Sequence, residues 1–142
     1  MDETPSRQHL WRALADLLAL QRLGVLATHH DGQPYTSLMA FAATADLKRL
    51  FFITPDASRK YTNLVSNPRA AMMIDNRSNS PEDIDRAMAA TATGTASRVS
   101  GDERDALMDI YLQKHPHLAE FARSPATCLV RFDVASYYVV YR

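Results

Sequence analysis

Four residues carry the clearest chemical signal in this chain: Thr54, Ser58, Arg59 and Lys60. They straddle the end of an apolar run over 49–54 and the start of a polar stretch that reads as a helix. Backbone N–H groups at a helix start lack intrahelical partners and sit at the positive end of its dipole, so they receive anions readily. Arg59 adds a planar fork matched to phosphate oxygens, Lys60 a mobile positive charge, and Thr54 and Ser58 hydroxyl donors. Basic side chains at this end oppose the dipole, and a bound anion removes the conflict. A solvated basic dipeptide on a helix surface accounts for the same pattern equally well, so the residues alone leave both readings open.

The elements that must position this segment are short and β-rich. A helix is expected over 6–21, with Thr4 as its cap and Pro5 in its first position, because Leu10, Trp11, Leu14, Leu17 and Leu18 recur at helical spacing. Gly24 ends it. Strands over 25–28 and 35–44 flank a turn whose strongest signal is Asp31-Gly32. Asp46-Leu47-Lys48 is a second tight connection, leading into a strand over 49–54 that Pro55 stops. Asp56 is the expected cap of a helix over about 57–66, closed by Asn67-Pro68.

Strands over 70–75 and 88–99 follow, the second containing Gly94, the mark of a bulge or a close backbone approach. Ser100 and Glu103 form a capping-box pattern for a helix to about Lys114. His115-Pro116-His117 interrupts it, and a further turn runs to Phe121. Two final strands are expected over 126–132 and 137–141. The fold class is therefore mainly β with peripheral helices, a six- to seven-stranded antiparallel split β-barrel. It is expected to be a single domain over 1–142, with an N-terminal helix within 1–22 and a helical excursion over 101–122.

Composition narrows the function classes. Apolar residues make up 46% and charged residues 23%, ordinary values for a soluble globular domain. Sixteen basic residues balance sixteen acidic ones, so the basic excess of a non-specific nucleic-acid binder is absent and any anion site must be local. Cys128 is the single cysteine, which excludes an intramolecular disulfide and a multi-cysteine metal site. Its apolar neighbours, 127–130, read it as a small buried hydrophobe. No signal-peptide pattern opens the sequence, and no apolar run approaches the ~20 residues of a membrane span. A cytoplasmic protein with no membrane and no nucleic-acid partner is the expectation.

Thr54, then four residues, then Arg59-Lys60, behind a hydrophobic strand, resembles the phosphate-binding segment of the pyridoxamine 5′-phosphate oxidase-like family, whose cofactor is flavin mononucleotide (FMN). Residues 24–28 and 32–41 resemble that family's first two barrel strands, 67–75 its next helix end and strand, and 94–99 the glycine-containing strand after that. The resemblance implies the FMN-binding split barrel, FMN as cofactor, a homodimer with flavin at the subunit interface, and a small-molecule substrate or reductant. Carried over residue by residue, Thr36, Ser37, Leu38, Met39 and Ala40 would run along the ring and ribityl chain, with backbone groups at the ring edge. Ile53 and Thr54 would line the ribityl-phosphate region, and Ser58, Arg59 and Lys60 would hold the phosphate. Asn76 and Arg77, in the polar loop over 75–79, are placed against the flavin or the partner subunit, with a plain loop as the equal alternative.

The sequence also departs from the family's true oxidases. Where they carry an arginine on the second strand it has Tyr35-Thr36-Ser37, and where they carry a later glutamine it has Ala89 or a neighbour. It has no tryptophan after Trp11 and no Arg-x-His segment near Tyr141-Arg142. Pyridoxamine phosphate oxidation is therefore not expected. An FMN-dependent oxidoreductase is the leading reading. The alternatives are a non-enzymatic flavin-binding or stress-related protein, a haem or deazaflavin binder on the same barrel, and a small interaction domain. His115 and His117 read as surface residues rather than metal or haem ligands, and no metal site is expected. Tyr137, Tyr138 and Tyr141 read as strand and dimer packing, and no catalytic acid or base is named.

Overall fold

The computed structural model describes residues 6–141 as seven strands and five α-helices, with every strand pairing antiparallel. Helix α1 (Arg7–Leu20) lays Leu14, Leu17 and Leu18 into the core, the periodic face that its sequence announces. Ser6 caps it, accepting from the His9 amide at 3.1 Å. Thr4 and Pro5, the expected cap and first residue, lie outside the described residues.

Strands β1 (Leu23–His30) and β2 (Gln33–Ala40) form a hairpin. Asp31 (φ 50°) and Gly32 (φ 80°) both occupy the left-handed region that a two-residue turn of this kind requires. The second strand does not continue to residue 44 as expected. Phe41 leaves the strand and is fully buried, after which β3 (Ala42–Ala43) pairs with β4 (Arg49–Pro55) instead of β1. The short helix α3 (Asp83–Arg86) joins β5 (Arg69–Asp75) to β6 (Met88–Arg98), and with these and β7 (Thr127–Tyr141) the sheet order is β2-β1-β5-β6-β7-β4-β3. Strands β2 and β3 are neighbours in the chain yet lie at opposite edges. One connecting residue can join them only if the sheet curls until its edges approach. The opening between β2 and β4 is the split of the barrel.

The two final strands expected at the C-terminus are one strand of 15 residues. It pairs with β4 over Thr127–Asp133 and with β6 over Val130–Tyr141, and a register shift at Thr93/Gly94 absorbs one extra residue. A Cβ on Gly94 would lie 1.9 Å from the Asp133 carbonyl oxygen, so the close backbone approach expected there is real and only glycine fits.

Strand β4 is buried on both faces, which is why its sequence is continuously apolar rather than alternating. Leu50 and Phe52 join Met72, Ile74, Val130 and Phe132 inside the barrel. Phe51 and Ile53 face outward, under Leu107, Met108 and Tyr111 of α4 (Gly101–Lys114) and Ala122 of α5 (Ala119–Arg123). The capping box expected for α4 does not form: Ser100 precedes the helix without a side-chain bond to it, and Glu103 pairs with Arg131 on β7. A long-range ion pair has taken the carboxylate that the local motif would use.

Candidate functional site

The helix that carries the basic pair, α2 (Arg59–Ser66), starts at Ser58 and not at Asp56. The Ser58 hydroxyl accepts from the Tyr61 amide at 3.3 Å and shares a 2.8 Å hydrogen bond with the Thr54 hydroxyl. Thr54 is fully buried, so these two hydroxyls brace the end of β4 against the start of α2. Further along the helix, Asn63 Nδ2 donates to the buried Thr28 hydroxyl on β1 at 3.1 Å, and Leu64 enters the core.

Lys60, Asn63 and Leu64 share one helical face at spacings of three and four, which draws Lys60 into a half-buried position. Desolvation lowers its pKa below the ordinary lysine value. Arg59 points about 100° away around the helix. Its guanidinium carbon lies 5.6 Å from the centre of the Tyr35 ring. Among the described residues no carboxylate forms an ion pair with either cation.

Lys60 faces a cavity of about 550 Å³ that lies over the split. One wall is Leu38, Met39 and Ala40 of β2, and Ile53 and Pro55 of β4 form the next. Opposite stand Tyr111 of α4 and His115, the residue that caps its end, with His117, Leu118 and Phe121 beyond, and Arg22 and Leu23 close one side. Because β2 is a sheet edge, alternate backbone N–H and C=O groups on it have no strand partner.

The structure thus brings together Leu38, Met39, Ala40, Ile53 and Lys60 of the residues singled out from the sequence. The others lie elsewhere. Ser37 is opposite Leu26 on the inner face, its hydroxyl buried without a partner, and Thr36 is exposed on the outer face beyond the cavity. Arg59 lines a second cavity on the far side of α2. Asn76 closes the β5–β6 connection, its amide donating to the Arg86 carbonyl at 3.2 Å and accepting from the Met88 amide at 2.9 Å. Arg77 pairs with Asp75 at 2.8 Å.

His115 corrects an expectation. It is no surface residue: 1% of it is exposed, and its Nε2 donates to the Phe41 carbonyl at 2.7 Å. Since a carbonyl only accepts, Nε2 carries the hydrogen. Burial pushes the pKa of this imidazole down, outweighing the Phe41 bond that favours the charged form. His117 is exposed at the cavity wall. The adjoining Lys114 donates to the Leu18 carbonyl at 2.8 Å and lies 4.0 Å from the Phe41 ring centre, where burial lowers its pKa to about 8.

The sequence reading had no place for Arg22, Leu23, Tyr111, Leu118 and Phe121 in the site. One signal was present: Leu107, Tyr111 and His115 recur every fourth residue, so the face of α4 that buries a leucine also carries His115. Among the described residues no cluster of three or more His, Cys, Asp or Glu side chains is arranged to hold a metal ion, and no helix is long and apolar enough to cross a membrane.

A family model described as pyridoxamine 5′-phosphate oxidase matches residues 10–141. No curated protein matches the chain. A protein of unknown function from Agrobacterium tumefaciens has a similar structure, with a TM-score of 0.81 at 22% identity over 96% of this chain and 58% of its own. The structure of a haem-binding protein from Mycobacterium smegmatis gives 0.79 at 18% identity, over 99% of this chain and 60% of its own. That of an FAD-binding protein from Mesorhizobium loti gives 0.73 at 16% identity, over 91% of this chain and 90% of its own. The chain thus spans about three fifths of the first two proteins. Identities this low establish a shared fold and nothing finer.

Proposed function

The chain belongs to the pyridoxamine 5′-phosphate oxidase family, and from that premise we propose that it binds a flavin, FMN, in the cavity over the split and works as a flavin-dependent oxidoreductase. One observation carries the reading: a half-buried lysine, Lys60, faces a cavity with no carboxylate in its walls to neutralise it. Burying an uncompensated cation is costly, and a phosphate dianion removes the cost. The remaining walls suit the rest of the molecule. Leu38, Ile53 and Phe121 offer apolar surface to a planar ring, and the unpaired backbone groups of β2 match a ring edge rich in donors and acceptors. A volume of about 550 Å³ also falls within the range of cofactor-sized sites.

Lys60 and the backbone N–H groups opening α2 would hold the phosphate, and Leu38, Met39 and Ala40 would orient the ring. When bound, a flavin supplies hydride or single-electron transfer. Leu23 and Leu38, half and two-thirds exposed on the outer sheet face, would be covered by a second copy of the chain, which is the support for a homodimer that closes the cavity.

Purification tests the reading. The protein is expected to carry flavin absorbance, or to acquire it on mixing with FMN, and to be bleached by a reduced nicotinamide dinucleotide. Protein that stays colourless with FMN overturns it. His117, exposed on the same wall, favours a second reading, haem binding. A haem spectrum that is lost in His117→Ala, with no flavin uptake, would replace the first.

A further inference from the structure

A cavity of about 410 Å³ lies between α1, the turn that joins β3 to β4, and the middle of β7. Its walls include Trp11, Asp46, Leu47, Lys48, Val134 and Tyr137, and it shares no residue with the cavity over the split. Trp11 and Tyr137 meet at 87° with their ring centres 6.0 Å apart. Two perpendicular rings leave a corner bounded by two π-faces, each the negative side of an aromatic quadrupole. Trp11 is 44% exposed, and α1 docks through Leu14, Leu17 and Leu18 instead, so core packing does not account for the largest side chain of the helix.

The corner is held in place. The Tyr137 hydroxyl donates to the Leu47 carbonyl at 2.6 Å, which fixes its ring. Leu47 sits at φ 62°, a left-handed backbone that a leucine keeps only where its surroundings impose it. Beside it, Asp46 Oδ1 accepts from the Thr44 hydroxyl at 2.7 Å and from the Lys48 amide at 3.0 Å. Those bonds hold the carboxyl below its usual range, so it is ionised, and its Oδ2 has no hydrogen bond among the described residues. Burial, helped by the Asp46 charge, pushes the Tyr137 phenol up, so its ring meets a ligand in the neutral form. Lys48 has its carbonyl tied to the Val134 amide at 2.9 Å, while its side chain is exposed and forms no ion pair among the described residues.

The walls therefore carry an aromatic corner with one carboxylate, and one ammonium. π-Faces stabilise a cation without accepting its protons in full hydrogen bonds, and one free carboxylate oxygen does not satisfy the three N–H donors of a primary ammonium. A methylated ammonium has no such donors to satisfy. Lys48 is complementary to an anionic group on the same molecule. We propose that this cavity binds a small zwitterion of the betaine class, its methylated ammonium in the Trp11–Tyr137 corner beside Asp46 and its carboxylate at Lys48. The site is independent of the flavin reading.

Trp11 is the only tryptophan in the chain, so its emission reports on the corner directly. The test titrates the full chain with glycine betaine, tetramethylammonium and glycine, followed by tryptophan fluorescence and calorimetry. A saturable change is expected with glycine betaine. Glycine, which has both charges and no methyl groups, should bind at least about ten-fold more weakly, the size of a partly desolvated cation–π contact. Trp11→Leu should lower betaine affinity by a similar factor in calorimetry, and Trp11→Phe should restore part of it. Asp46→Asn should weaken betaine and tetramethylammonium alike, whereas Lys48→Met should weaken betaine alone. Both of these residues are exposed, so they carry the test even if Trp11→Leu does not fold. Glycine binding as tightly as betaine, betaine affinity unmoved by Asp46→Asn and Lys48→Met, or no saturable change with betaine overturns the proposal.

Discussion

Lys60 and Lys114 are both drawn out of water, and burial lowers the pKa of each, but their surroundings differ. Lys114 has the Leu18 carbonyl and the Phe41 ring, and its neighbour His115 holds the Phe41 carbonyl. Those contacts tie α1, the break after β2 and the end of α4 into one unit. Lys60 faces a cavity and forms no ion pair among the described residues. The contrast separates two uses of a desolvated cation. Where partners surround it, the charge organises the fold. Where it faces a cavity without a carboxylate, the charge is complementary to something the chain itself does not supply.

Three experiments break or sharpen that contrast. The largest effect is expected from His115→Ala, which removes packed volume and leaves the Phe41 carbonyl unpaired; we expect about 2–4 kcal/mol of destabilisation in urea unfolding. Unchanged stability would remove the structural half of the comparison. Next, Lys60→Met should weaken FMN binding by about 10–100-fold, the size of a charge-assisted contact. Its melting temperature should hold or rise slightly, because the substitution deletes a desolvated charge. A loss of stability comparable to that of His115→Ala would make Lys60 a structural residue instead.

The smallest effect is in the pH dependence of unfolding. Lys114 titrates at about 8 when folded, against 10.5 for an ordinary lysine. Between those values the unfolded chain binds more protons, so stability should rise with pH from about 8 upward, by on the order of 1 kcal/mol after solvent screening. Tyr111, pushed up to about 12 by burial, acts in the opposite sense above pH 10, where the unfolded chain loses its phenolic proton first. A maximum near pH 10 is the expected profile, and Lys114→Met should flatten its rising limb. A rising limb that survives in Lys114→Met would assign it to another group.

Local chemistry was legible wherever one short segment contained its own cause. Asp31-Gly32 makes its turn because both residues accept a positive φ, and Gly94 marks the bulge because any side chain there would strike the Asp133 backbone. The helix start near Arg59-Lys60 was visible too, although its cap was misplaced by two residues. Asp56 and Ser58 are equally good caps in isolation, and it is the buried Thr54 hydroxyl that recruits Ser58. Glu103 followed the same rule in reverse, leaving a local capping box for Arg131 far along the chain.

By itself, then, the sequence determined a β-rich chain, the places of most of its strands, and a helix start carrying two cations. These depend on contacts within a few residues and on the family pattern that such contacts leave. The tertiary structure alone decided that β2 and β3 would part to opposite edges, that α4 would close a cavity over the split, and that His115 would be buried. It also sent Lys60 and Arg59 to different cavities. Each of those outcomes depends on surfaces that meet only after the sheet has curled, because burial and partnership are properties of the folded neighbourhood and not of the residue type.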